Sequence, residues 1–166
     1  MDQSAQITAC IPRLRRYARA LVGDRTAADD LIQDTLERAW AKINQFRVGT
    51  DMRAWMFTIM HNLHINQARI RRELESFDDE AAEIPVRATQ GDALEIRDME
   101  RALRELPVEQ REVLLLVALE DMSYEEVAST LGIPLGTVMS RLSRARERLR
   151  LLMNGLPITQ KLQVVK

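Results

Sequence analysis

The chain has 166 residues, 46% hydrophobic and 30% charged, with only six glycines, 4% aromatics and a formal charge of −1. That balance favours a soluble, mostly helical protein over a β-rich or disordered one, since Leu, Ala, Arg and Glu all favour helix. A single cysteine, Cys10, allows no internal disulfide and no cysteine pair for zinc, which fits a reducing cytoplasm and a buried thiol.

The near-zero total hides a strong segregation. Residues 1–72 hold 12 bases against 7 acids, residues 73–92 hold 1 against 7, and residues 93–166 hold 11 of each. A basic front, an acidic middle and a locally basic end suggest two working parts joined by an acidic connector. The start, MDQSAQITACIPRLRR, lacks the basic n-region and apolar core of a signal peptide. VLLLVAL at 113–119 is too short to span a bilayer, so no membrane insertion is expected.

In chain order, residues 7–22 place Ile7, Ile11, Leu14, Ala18, Leu21 and Val22 at three-to-four spacing, predicting an amphipathic helix closed by Gly23-Asp24. TAADDLIQDTLERAWAKI predicts a second helix capped by Thr26, with the apolar stripe Leu31, Leu36, Ala39, Trp40 and Ile43. The loop NQFRVGTD leads to a third, MRAWMFTIMHNLHINQARIRR, which is apolar on most sides in its first half, as expected at the centre of a bundle. This helix carries the stripe Trp55, Ile59, Asn62, Asn66 and Arg69. Periodicity fails from 73 to 92, where Pro85, Gly91 and the acids predict a mobile linker. Helical pattern resumes at 93–106, and Pro107 sits in the first turn of PVEQREVLLLVAL.

The segment 123–150 carries several independent local signals. Ser123 and Glu126 form a capping box, Val127, Ala128 and Leu131 face a core, Gly132 supplies a left-handed turn, and Pro134 starts the next helix. The result is a helix-turn-helix. In its second helix Val138, Leu142, Ala145 and Leu149 share the buried face, and Gly136, Ser140, Ser143, Arg144 and Glu147 lie opposite. The last ten residues, 141–150, hold five arginines and one acid. Thr137, Ser140, Arg141, Ser143, Arg144 and Arg148 therefore form a candidate DNA-reading surface, with hydroxyls and Arg144 toward base edges and the other arginines toward phosphates.

Taken together, these stretches resemble a bacterial extracytoplasmic-function (ECF) sigma factor, the sigma-70 type reduced to regions 2 and 4. ADDLIQDTLERAW is similar to region 2.2, INQFRVGTDMRAWMFTIMHNLHIN to regions 2.3 and 2.4, and LRELPVEQREVLLLVALEDMSYEEVASTLGIPLGTVMSRLSRARERL to region 4. The resemblance implies an all-α fold of two small helical domains, region 2 at 1–75 and region 4 at 93–155, with a flexible acidic linker at 76–92 and a tail at 156–166. It implies core-polymerase binding through Asp29, Asp30, Gln33, Asp34, Glu37 and Arg38 on the β′ clamp helices, and a region 4 contact to the β flap. It further implies minus-10 recognition by Arg53, Trp55, Asn62, Asn66, Arg69, Arg71 and Arg72, with the loop Phe46 to Asp51 cradling an extruded base. The helix-turn-helix would read the minus-35 element. Met139 and Ser143 depart from relatives that carry a basic and an aromatic residue there. Control by an anti-sigma factor is implied as well, and no cofactor.

Two other readings stay open on sequence. Trp55 fits core packing as well as DNA contact. A stand-alone dimeric helix-turn-helix regulator would share the DNA-reading surface, with residues 1–75 as a dimerising or sensing module. His61 and His64, three apart on a helix, could reach one metal, but no further ligand is placed beside them and no catalytic motif appears, so no enzyme is expected.

Overall fold

The computed structural model of the chain describes residues 2–75 and 93–154. The connector at 76–92 and the tail at 156–166 lie outside the described residues. Seven α-helices are present among the described residues: α1 (Gln3–Val22), α2 (Arg25–Ala41), α3 (Met52–Glu75), α4 (Ala93–Glu105), α5 (Val108–Ala118), α6 (Tyr124–Leu131) and α7 (Leu135–Met153). A short 3-10 turn at Ile43–Gln45 leads from α2 toward α3. The all-α, two-domain expectation is met: α1–α3 form one bundle and α4–α7 the other.

The first bundle closes on a stripe of α1. Ile7, Leu14, Ala18 and Leu21 are fully buried, joined by Cys10 and Tyr17. α1 begins four residues earlier than the periodicity predicts and carries Pro12 in its interior. A proline there removes one backbone bond; burial of the flanking stripe offsets that loss. At its end Gly23 adopts φ +81°, and its N–H bonds Arg19 O at 3.0 Å. In α3, Met52, Met56, Phe57, Ile59 and Met60 are buried, in keeping with a central helix.

Two expectations for α2 are corrected. Its cap is Asp24 rather than Thr26, because the Asp24 carboxylate accepts from the Ala27 N–H at 2.9 Å and the helix starts at Arg25. Gly23 alone ends α1, which releases Asp24 for this role. The buried stripe is Ala28, Leu31, Ile32, Thr35 and Ala39, while Trp40 is 45% exposed. Thr35 tolerates burial because its hydroxyl donates to Leu31 O at 2.7 Å.

In the second bundle the local signals produce the predicted turn. Pro107 stands at the N-cap of α5, one position before the helix proper. Ser123 Oγ accepts from the Glu126 N–H at 3.1 Å, and the Glu126 carboxylate accepts from the Ser123 N–H at 2.8 Å. Gly132 has φ +66°, a conformation that costs any residue with a Cβ. Val127, Leu131, Val138, Leu142 and Ala145 are buried, with Ala128 and Leu149 packed partly buried against them. Ser123→Ala is expected to cost about 1 kcal/mol, seen as a lower urea midpoint at unchanged slope; no shift would mean that the box contributes nothing.

The two bundles do not stand apart. α5 and α4 pack on α1, α6 packs on α3, and one contiguous buried cluster runs through both bundles. The two bundles meet along a seam.

Candidate nucleic-acid and polymerase surfaces

The minus-35 candidates come from the second helix of the helix-turn-helix. With Val138, Leu142 and Ala145 buried against α5 and α6, helical geometry leaves Ser140, Ser143 and Arg144 exposed. Thr137, Arg141 and Arg148 are half-buried along one flank. Met139 is 49% exposed beside Ser140. Arg150 is tied to Glu147 at 2.8 Å, which raises its pKa through that hydrogen bond and the charge behind it.

The minus-10 candidates divide. Asn62, Asn66, Arg69, Arg71 and Arg72 are exposed along the outer half of α3. Trp55 is half-buried: its ring lies 5.2 Å from that of Phe46, which is itself buried at 7% exposure. Phe46 is therefore a core residue of the loop rather than an open part of it, and the remaining loop residues, Arg47 to Asp51, are exposed. Arg53 is held on both sides. Its backbone N–H donates to Asp51 Oδ1 at 3.0 Å, and its guanidinium donates to Glu120 O of the other bundle at 2.7 Å.

All six polymerase candidates on α2, Asp29, Asp30, Gln33, Asp34, Glu37 and Arg38, are exposed on the side away from the buried stripe. Gln33 donates to Glu37 at 3.4 Å, Gln67 of α3 donates to Asp34 at 3.0 Å, and Arg19 lies 4.0 Å from Asp29. This face presents carboxylates and an amide to a partner, with the exposed Trp40 at the end of the helix.

The seam between the bundles is lined by charged groups that pattern reading overlooked. Glu112 is 3% exposed; its carboxylate meets His61 Nδ1 at 2.8 Å and lies 3.9 Å from His64 Nδ1. The two histidines thus converge on a carboxylate, and among the described residues no group of three or more potential ligands is arranged for a metal ion. Burial lowers the His64 pKa against the pull of Glu112, with His61, Arg111 and Arg71 adding to the fall. Glu120 is 1% exposed, with Arg16 at 3.5 Å and Arg13 at 3.9 Å. Burial raises its pKa, and Arg16, Arg13 and Arg53 draw it back. The signal that could have exposed these residues was present: Arg111 and Glu112 precede the apolar run VLLLVAL and Glu120 follows it, where an unpaired charge could not be buried.

Residues 7–61 match the family described as Sigma2 domain of PhyR, and residues 96–149 match Sigma-70, region 4. The chain is 42% identical over 149 residues to the ECF RNA polymerase sigma factor EcfG of Rhodopseudomonas palustris, covering 89% of this chain and 82% of that protein. It is 37% identical over 145 residues to the ECF RNA polymerase sigma factor SigE of Mycolicibacterium smegmatis, covering 83% of this chain and 56% of that one. Its fold is similar to that of the sigma factor RpoE from Bartonella quintana, solved with the anti-sigma factor NepR, at TM-score 0.80 and 37% identity over 91% of this chain and 96% of that one. With two family matches in this order on an all-α two-domain fold, the chain belongs to the ECF RNA polymerase sigma factors.

Proposed function

We propose that the chain is a promoter-recognition subunit that binds core RNA polymerase and directs it to promoters read at two separate elements. The observation that carries this is the placement of distinct exposed surfaces on one chain: the polar face of α2, the outer half of α3 and the outward face of α7. In this reading Asp29, Asp30, Gln33, Asp34, Glu37 and Arg38 engage the β′ clamp helices, a polar surface suited to a charged partner helix. The helix-turn-helix bundle, taken as residues 93–155, meets the β flap and the minus-35 element. Thr137, Ser140, Arg141, Ser143, Arg144 and Arg148 lie at the DNA.

At the minus-10 element Asn62 and Asn66 read base edges, while Arg69, Arg71 and Arg72 neutralise phosphate. Trp55 acts from its packed position against Phe46, which favours a role in shaping the site over one of full insertion. The chain performs no chemistry of its own and works in the cytoplasm; among the described residues no helix is long and apolar enough to cross a membrane. A dedicated anti-sigma factor holds it inactive, a reading supported by the similarity to an RpoE solved with NepR.

Arg144→Ala tests the α7 assignment. The account expects promoter affinity to fall by about 1–3 kcal/mol, or the salt slope to shrink by about one if the contact is to phosphate, with polymerase association unchanged. Equal loss of polymerase binding would refute the assignment. Conversely, Asp30→Lys with Asp34→Lys is expected to weaken polymerase association and leave DNA contact by α7 intact, measured by co-elution from gel filtration.

A further inference from the structure

Between α1 and α4, apart from the three exposed faces already assigned, lies a cleft of about 630 Å³. Five arginines line it, Arg15, Arg16, Arg19, Arg25 and Arg104, against one carboxylate, Glu100. The chain as a whole holds 24 lysines and arginines and 25 acids, so this concentration is local and does not follow from composition. Like charges gathered in a concave site focus a positive potential there and draw anions to it.

The five are not equally available. Arg16 is committed to the α5–α6 loop, donating to Leu119 O at 3.0 Å and to Glu120 at 3.5 Å. Arg19 lies 4.0 Å from Asp29, an exposed pairing worth little. Arg15 and Arg25 are exposed and have no ion pair or side-chain hydrogen bond among the described residues. Arg104 is set in place by the backbone beneath it. Its Cδ and Cγ lie 3.0 and 3.2 Å from where a Cβ on Gly23 would stand, so the bare glycine lets its stem lie across the end of α1. Its Nε donates to Glu100 O at 3.4 Å, which leaves the two terminal nitrogens for a ligand.

The lining is not wholly polar, since Pro12, Ala20 and Leu103 add apolar surface to the same cleft. A volume of this size is that of a small-molecule site. Guanidinium forks match phosphate oxygens two at a time, and several forks around one cleft match a chain of phosphates better than a single anion. A nucleic-acid duplex presents its phosphates on a convex surface and cannot enter it.

We propose that the α1–α4 cleft binds a small oligophosphate anion, its phosphate chain held by Arg15, Arg19, Arg25 and Arg104. Two sources share that chemistry. A nucleoside triphosphate would rest its base on Pro12, Ala20 and Leu103, whereas inorganic polyphosphate would leave that surface bare. The site does not depend on which partners α2, α3 and α7 engage.

Calorimetric titration of the full chain with ATP and with inorganic tripolyphosphate, at constant ionic strength, tests this. Saturable one-to-one binding is expected, together with a rise in the thermal midpoint on adding ligand. Arg15→Gln with Arg25→Gln, and separately Arg104→Gln, should each weaken binding at least about tenfold and abolish the midpoint rise, with helicity unchanged by circular dichroism. Arg101→Gln with Arg146→Gln removes the same charge as the first pair from exposed positions outside the cleft and should leave both readouts close to the parent's. Tighter binding of ATP than of tripolyphosphate identifies a nucleotide; equal affinity identifies the phosphate chain alone. Absence of saturable binding by either compound, or equal weakening in the control pair, would overturn the proposal. So would a decathymidylate that binds more tightly than both and loses that binding in the Arg15/Arg25 variant, which would give the cleft to single-stranded nucleic acid.

Discussion

Arg111→Ala is expected to lower the unfolding free energy by roughly 3 kcal/mol or more, the largest loss of any exchange of one charged residue in this chain. The side chain is 8% exposed and donates to four carbonyls: Leu21 O at 2.6 Å, Leu103 O at 2.7 Å, Arg104 O at 2.8 Å and Leu106 O at 2.9 Å. Leu103 and Arg104 lie in the last turn of α4, Leu106 follows that helix directly and Leu21 lies in the last turn of α1, so one guanidinium ties together the C-terminal ends of two helices. Burial lowers its pKa, and the nearby Arg104 charge adds to this, yet arginine stays protonated at any working pH. Truncation removes a charged donor and leaves buried acceptors unpaired, which is why the cost exceeds that of an ordinary hydrogen bond. Arg111→Lys keeps the charge but lacks the planar fork, so it should recover less than half of the loss. Urea unfolding of the three proteins reads this directly; a loss below about 1 kcal/mol for Arg111→Ala would mean that the four contacts are incidental.

Phe57→Ala is expected to cost about 3–5 kcal/mol for a different reason. Phe57 is 2% exposed in the second turn of α3, and its ring meets that of Tyr17 edge-on, with centroids 4.9 Å apart and planes at 77°. Removing it deletes buried apolar area, opens a cavity in the first bundle and discards the aromatic pair. Phe57→Leu fills most of that space and should cost about 1–2 kcal/mol. Because the effect originates in α1–α3, amide exchange should accelerate first in those helices; uniform acceleration in α6 and α7 would show that the bundles unfold as one unit.

How legible these features were depends on how local their causes are. The helix-turn-helix was readable because each part is fixed within a few residues: Ser123 and Glu126 close a box on each other, Gly132 turns the chain, and Pro134 begins the next helix. The α2 cap was misread for a related reason. Gly23 and Asp24 looked like one stop signal, whereas glycine ends α1 and the aspartate opens α2. Spacing places Trp40 on the buried stripe, yet the bundle turns it outward, since among the described helices only α1 and α3 pack substantially against α2 and Ile32 takes the inner position.

The seam lay beyond reach of pattern. Arg111 and Leu21 are 90 residues apart, and Arg53 and Glu120 are 67 apart. Nothing around Glu120 in the sequence indicates that its carbonyl will receive an arginine from another helix. The charges flanking VLLLVAL were visible, but their partners depend on how two bundles meet. The same holds for Arg53: its place at the start of α3 was foreseeable and its occupation by the α5–α6 loop was not.

The proposed function requires one chain to carry both a polymerase-docking face and two promoter-reading faces. Its most direct test adds the purified chain to bacterial core polymerase on a pooled library of promoter fragments and sequences the 5′ ends of the transcripts. The account predicts co-elution with core and a set of start sites absent from core alone, sharing two upstream elements, of which the minus-35 element loses its preference in Arg144→Ala. Start sites identical to those of core alone, or tight operator binding by the chain as a dimer without polymerase, would contradict it.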